Sequence, residues 1–399
     1  MTRSDPTAAG NSVLLTDFYQ FSMFQAYHAY GLTGTAVFEL FVRKLPPGRA
    51  FLMAAGLEQA VAFLESAAID DADLDWLGSA GGLSATTLDQ LRGFRFTGDV
   101  DAMPEGTIFF PHEPVLRVTA PLPEAQLVES RLLNLIHFQT IAASKAVRMV
   151  LAAAGRPLFD FGFRRAHGAE AGLLTARASH IAGFAATATA LAGPRFGIPV
   201  VGTMAHSFIQ AHGSERLAFE HFARSRPMNL VLLLDTFDTE AAARTVVDLA
   251  PHLAADGITV SGVRLDSGDL GALASRVRAI LDDGGLPATR IVASGGLDEE
   301  SIAALLASGA PIDSFGVGTS LSTSSDAPAL DCAYKLVEYA GRPTRKRSPG
   351  KATWPGRKQV FRRYGDDRRI AGDRVGLARA LTNGTAGEDH PLQIGRAHV

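Results

Sequence analysis

Between residues 157 and 319, short apolar runs recur as PLFDFG, IPVVGT, NLVLLLDT, ITVSGVRLD, RIVASGG and IDSFGVGT, each followed by a helical segment. Strand and helix in alternation imply a parallel sheet with helices packed outside it. Six such units suggest an α/β fold of the (β/α) barrel type, incomplete or irregular. Each run ends in polar or glycine residues, and in such barrels the C-terminal strand ends open onto one face. Residues far apart in the chain are therefore expected to converge there.

A chain of 399 residues, 47% hydrophobic and 20% charged, is large enough for two domains with real cores. Its net charge of −3 shows no global bias toward nucleic acid or membrane, so an anion site has to come from local placement of basic residues. One cysteine, Cys332, excludes an internal disulfide framework and a cysteine-based zinc site, which fits a reducing cytoplasm. Any metal is then held through oxygen or histidine. The N-terminal MTRSDPTAAGNS has no signal-type apolar segment, and no run approaches the ~20 apolar residues of a membrane helix. A cytoplasmic location is expected, with neither zinc nor membrane nor nucleic acid as partner. The final Ile394–Val399 reads IGRAHV, the translation of a common sequencing adapter, and is taken as an artefact.

Before the repeats, 35–43 and 106–120 read as strands, Leu52–Ser66 as an amphipathic helix, and 124–154 as one helix or two. After Glu338 the chain turns basic, GRPTRKRSPGKATWPGRKQVFRR. A solvated loop is the simpler reading; an arm carrying Arg347 or Lys351 to a phosphorylated ligand is the other.

Three constellations at the strand ends carry chemistry. Gly295-Gly296 and Gly316-Val317-Gly318-Thr319 close the last two runs, where barrels often hold a phosphate on backbone N–H groups, although tight turns also need such glycines. RLDSGDL places Arg264, Asp266, Ser267 and Asp269 around one strand end. Ser267 or Asp269 is expected to cap the next helix, while Asp266 suits ribose hydroxyls or Mg²⁺ and Arg264 a flat ligand or a carboxylate. In FDFGFRRAHG, Phe161 is placed to stack on an aromatic ring and Arg164 and Arg165 to fork onto phosphate or carboxylate. No acid occurs between Glu170 and Glu215, a span that holds Arg177, His180, Arg195, His206 and His212 and should favour an anionic substrate. From the residues alone, His206 reads first as a satisfied surface histidine.

The ordered motifs TDFYQFSM (16–23), FELFVRKLP (38–46), DFGFRRAHG (160–168), GTMAHSF (202–208), GVRLDSGDL (262–270) and FGVGTS (315–320), followed by KLVEY and PGRKQVFR within 335–362, resemble nicotinate phosphoribosyltransferase over nearly the whole chain. The resemblance implies a type II phosphoribosyltransferase, with an irregular (β/α) barrel domain, 126–338, and an α/β domain formed by 1–125 and the returning segment 339–393. It implies nicotinate mononucleotide formation from nicotinate and phosphoribosyl pyrophosphate, coupled to ATP with Mg²⁺, and transient phosphorylation of His206. It also implies a homodimer, with the substrate ring between Phe161 and Tyr19 of the neighbouring subunit. The family commonly carries GTSN shortly before the LAG matching Leu191–Gly193; this chain has Ala186-Thr187-Ala188-Thr189, so Thr187 becomes the candidate nicotinate contact. The related nicotinamide enzyme has an acid near this point, and its absence argues against nicotinamide. Quinolinate phosphoribosyltransferase is the alternative within the class, expected to lack the phosphohistidine segment. A phosphate-binding barrel isomerase or aldolase would more often bear a strand-borne lysine or glutamate base.

Overall fold

A computed structural model of the chain describes residues 12–378, 389–392 and 395–398. The N-terminal segment before residue 12, together with Ile394 and Val399, lies outside the described residues. The chain forms two compact units, 1–141 with 329–399, and 142–328. The division falls inside the helix Glu129–Ala152. The strand Cys332–Tyr339, within the stretch assigned to the barrel from sequence, pairs antiparallel with Thr35–Val42 and so belongs to the first unit.

The first unit is built on a six-stranded sheet in the order Arg342–Pro343, Cys332–Tyr339, Thr35–Val42, Leu116–Pro121, Asp99–Ala102, Gly395–His398. The 106–120 segment is not one strand. His112 takes a left-handed φ of 67°, so Ile108–Phe109 turns away to pair with Leu52–Met53, and only Leu116–Pro121 joins the main sheet. The predicted helix from Leu52 likewise starts at Leu57: Gly56 has φ 104°, and a Cβ there would lie 2.7 Å from the Leu135 carbonyl oxygen. The 124–154 stretch resolves into two helices, Leu122–Leu127 and Glu129–Ala152.

Part of the basic run after Glu338 is not solvated. Lys358 is buried, its Nζ 2.6 Å from Oε2 of the fully buried Glu39, and its backbone N–H donates to Oε1 of the same carboxylate. A charge taken this far from water requires such a partner. Arg347 and Lys351 are exposed.

The second unit holds a six-stranded parallel sheet in the order Ala186–Thr187, Leu158–Asp160, Ser314–Val317, Arg290–Ser294, Val260–Leu265, Leu230–Leu233. It is a half-barrel open at both edges, within the expected α/β class. Five of the six apolar runs are strands. IPVVGT is not: Pro199 has no N–H for a ladder, and only an isolated bridge joins Val200 to Thr187. The edge position is taken by Ala186–Thr187, too short to read from periodicity.

Lys145 on the long helix is 2% exposed and lies 2.7 Å from Glu299 and 2.9 Å from Asp326. Arg148, one turn on, meets the same two carboxylates at 3.0 and 2.8 Å. Among the described residues no helix is long and apolar enough to cross a membrane.

Candidate active site

The strand ends of the second unit bring together most of the residues singled out by sequence. His206 is the first residue of the helix His206–His212. Its Nδ1 lies 3.1 Å from the Thr236 hydroxyl and its Nε2 3.8 Å from Asp266 Oδ2. Three separate chain segments thus meet around one imidazole. The side chains of His206 and Asp266 remain partly open, at 40% and 29% exposure, which a group receiving a ligand needs.

Asp266 is held in turn. The buried Ser294 hydroxyl donates to its Oδ1 at 2.5 Å, a charge-assisted bond that fixes the carboxylate. Next to it, Asp235 Oδ2 accepts from the Ser267 hydroxyl at 2.5 Å and from the Asp266 N–H at 3.3 Å. The other oxygen of Asp235 is buried with no hydrogen-bond partner. Asp269 caps the helix Leu270–Asp283 by accepting from the Ala272 N–H, which leaves Ser267 free for Asp235.

Arg264 donates to Thr203 Oγ1 at 2.8 Å, and its guanidinium lies 6.0 Å from the Phe161 ring centroid. Its Nε is buried without a partner. Burial lowers the Arg264 pKa, a pull opposed by the carboxylates of Asp266 and Asp235 and reinforced by the nearby charge of Arg164. Two guanidinium groups near one another, one with an unpaired donor, make a place for an anion. Arg164 is exposed in the short 3₁₀ turn Phe163–Arg165.

The glycines serve different ends. Gly295 has φ 95°, and a Cβ there would fall 1.9 Å from the Asp266 carbonyl oxygen, so only glycine lets this turn lie against the neighbouring strand end. Gly296 follows with φ 66° and open space around it. Gly316, read from sequence as a phosphate contact, is buried within its strand, and a Cβ there would meet the Phe161 ring at 2.4 Å. Its bareness makes room for the aromatic platform. Gly318 precedes the short helix Thr319–Ser322, and Thr319 is exposed at that turn.

Thr187 is fully buried, and its hydroxyl donates to Asp160 Oδ2 at 2.7 Å and accepts from the Thr189 N–H. It braces Asp160, whose pKa is raised by burial and whose Oδ1 accepts from the Gly162 N–H. Tyr19 belongs to the first unit, on the helix Tyr19–Ala29, where it is half exposed with its phenol 3.5 Å from Glu129. Burial, then the Glu129 and Asp17 carboxylates, push that phenol up to about 12. Sequence reasoning assigned no role to Thr203, Asp235, Thr236 or Ser294. Asp235, Thr236 and Ser294 stand at a strand end or the turn beyond and Thr203 just after the apolar run IPVVG, the one signal that could have found them.

Residues 14–137 match the nicotinate phosphoribosyltransferase N-terminal domain, and residues 157–348 match the nicotinate phosphoribosyltransferase family. The chain belongs to the nicotinate phosphoribosyltransferase family. It is 55% identical over 350 residues to nicotinate phosphoribosyltransferase pncB2 of Mycobacterium tuberculosis, covering 88% of this chain and 75% of that one. The nicotinate phosphoribosyltransferase of Bacillus subtilis is 43% identical over 357 residues, 88% of this chain and 72% of its own length. The crystal structure of human nicotinic acid phosphoribosyltransferase superposes with a TM-score of 0.80 at 30% identity, over 91% of this chain and 81% of the human one. Within this family the motif residues around His206 acquire their context.

Proposed function

We propose that this enzyme transfers phosphoribosyl from phosphoribosyl pyrophosphate to nicotinate, giving nicotinate mononucleotide and pyrophosphate in NAD salvage, with ATP coupled through a transient phosphohistidine at His206. Family membership supports the transfer. The observation that carries the coupling is the convergence of Asp266 and Thr236 on the His206 imidazole. In the phosphorylation step a ring-nitrogen lone pair attacks the γ-phosphorus of ATP; the P–N bond forms, the P–O bond to ADP breaks, and ADP leaves. Thr236 fixes the ring orientation at Nδ1, and Ser294 keeps Asp266 aimed at the other edge.

In the transfer, the C1–pyrophosphate bond of the ribose breaks through an oxocarbenium-like state while the pyridine nitrogen forms the new C1–N bond. No general base is required, because that nitrogen carries no proton. Asp266 holds the ribose hydroxyls, Phe161 supports the pyridine ring, Arg264 and Arg164 face its carboxylate, and the turns at Gly295-Gly296 and Gly318-Thr319 receive phosphate on backbone N–H groups. Asp235 and Asp266 offer oxygen donors of the kind Mg²⁺ takes together with substrate phosphates, and the unpartnered Asp235 Oδ1 fits that role. Mg²⁺ bound there would neutralise charge developing on the departing pyrophosphate. Tyr19 of a second copy completes the ring sandwich in a homodimer, and the chemistry belongs in the cytoplasm, where the Cys332 thiol stays reduced.

The test is nicotinate mononucleotide formation with and without ATP, with nicotinamide and quinolinate in parallel. Product from nicotinate alone, raised by ATP, is expected. In His206→Ala the ATP stimulation disappears while basal transfer persists; full stimulation in that variant overturns the phosphohistidine assignment.

A further inference from the structure

The helix that opens with His206 ends with a second histidine outside the reaction centre. His212 Nε2 lies 3.2 Å from Nδ1 of His221 on the following helix, Glu215–Ser225. From this juxtaposition we propose that His212 and His221 form a chelating site for a borderline divalent transition metal, of the Zn²⁺ type, that ties these two helices together.

Zinc–imidazole bonds of about 2.0–2.1 Å at a near-tetrahedral angle separate two ligand nitrogens by about 3.3–3.4 Å. The observed 3.2 Å is the length of the hydrogen bond that the two rings make with each other, and a small turn of the exposed His221 ring lets a shared ion replace that proton. The tautomer is preset as well: His212 Nδ1 is 2.7 Å from the Phe208 carbonyl oxygen, an acceptor, so Nδ1 carries the proton and Nε2 presents its lone pair. An imidazole whose other nitrogen donates to a backbone carbonyl is the usual arrangement of a metal-binding histidine.

The backbone holds the pair in place independently of the imidazoles. Gly213 ends the first helix in a left-handed conformation, φ 64°, and Ser214 caps the next by accepting from the Leu217 N–H. Phe208 and Phe222 pack edge to face at 5.7 Å across the same corner. His221 is exposed and His212 half-buried, so an ion reaches them from solvent. Among the described residues no third histidine, cysteine or carboxylate joins them, so water would complete the coordination of a bound ion. The site is thus open and exchangeable, and its two nitrogen donors select Zn²⁺, Ni²⁺ or Cu²⁺ over Mg²⁺.

Calorimetric titration of the full chain with Zn²⁺, in a non-chelating buffer containing excess Mg²⁺, tests this. One Zn²⁺ per chain is expected, reversed by a chelator and accompanied by a rise in Tm. Loss of an outer partner alone typically weakens a metal site about 10–100-fold, so loss of a ligand in His212→Ala or His221→Ala should weaken Zn²⁺ binding at least tenfold. Nicotinate transfer without Zn²⁺ should be unchanged in His221→Ala, and His206→Ala should still bind. Zn²⁺ binding that survives in both variants, is absent from the parent, or is displaced by Mg²⁺ overturns the site.

Discussion

Gly316→Ala is the sharpest probe of the platform on which the pyridine ring is proposed to rest. Gly316 has no positive φ, so alanine meets no backbone strain and the perturbation is steric alone. The new Cβ would lie 2.4 and 2.5 Å from two carbons of the Phe161 ring. Comfortable carbon–carbon contact begins near 3.5 Å, so the ring must withdraw by about 1 Å. It is hemmed in by Phe159, stacked at 6.4 Å, and by Arg264. Overpacking of this kind costs about 1–3 kcal/mol of stability. A displacement of about 1 Å in a positioning group can lower the rate about 100-fold, roughly 2.7 kcal/mol in transition-state terms. Steady-state nicotinate kinetics and thermal melts are measured for Gly316→Ala, Phe161→Ala and the double variant. The single glycine change should lower kcat/KM about 100-fold, and in the Phe161→Ala background it should matter little, because the clash has gone. Unchanged nicotinate kinetics in Gly316→Ala, or an equal loss in both backgrounds, refutes the reasoning.

Two further outcomes concern the frame around the site. Lys145→Met strands the buried Glu299 beside Asp326; breaking a buried pair costs about 3–5 kcal/mol, and Arg148, which still reaches both carboxylates, sets the expectation near 3 kcal/mol by urea unfolding. A loss below about 1 kcal/mol would mean that Lys145 contributes no pairing energy. In the first unit, burial and then the Asp373 carboxylate push the Glu113 carboxyl up from 4.5 to about 8, against the pull of the Phe110 N–H and Arg362. The folded chain keeps this proton where the unfolded chain releases it, so stability falls as pH rises from 4.5 toward 8. Glu113→Gln, which keeps the neutral shape, should flatten that slope; identical slopes in unfolding measured at about pH 5 and pH 8 would contradict the assignment.

The amino-acid sequence by itself determined the beat of strand and helix in the second unit, because strands buried on both faces must be apolar throughout and helices between them amphipathic. It also determined which residue types stand at the strand ends, and so the chemistry open to the site: His206, Asp266, Arg264, Phe161 and the glycine turns. These are local properties, written into consecutive residues. Pairing is not local. Only the tertiary structure decided that Pro199 keeps IPVVG out of the ladder, that Ala186–Thr187 takes the edge, and that Cys332–Tyr339 joins Thr35–Val42 from far along the chain. The same holds for the partners that make the residues functional. Thr236 at His206, Ser294 at Asp266 and Phe161 in the space left by Gly316 are pairs drawn from different βα segments, and their meeting follows from sheet order and register. A side chain's type is fixed by its own codon, but its partners are fixed by hydrogen bonds between distant backbones, which no short stretch of sequence contains.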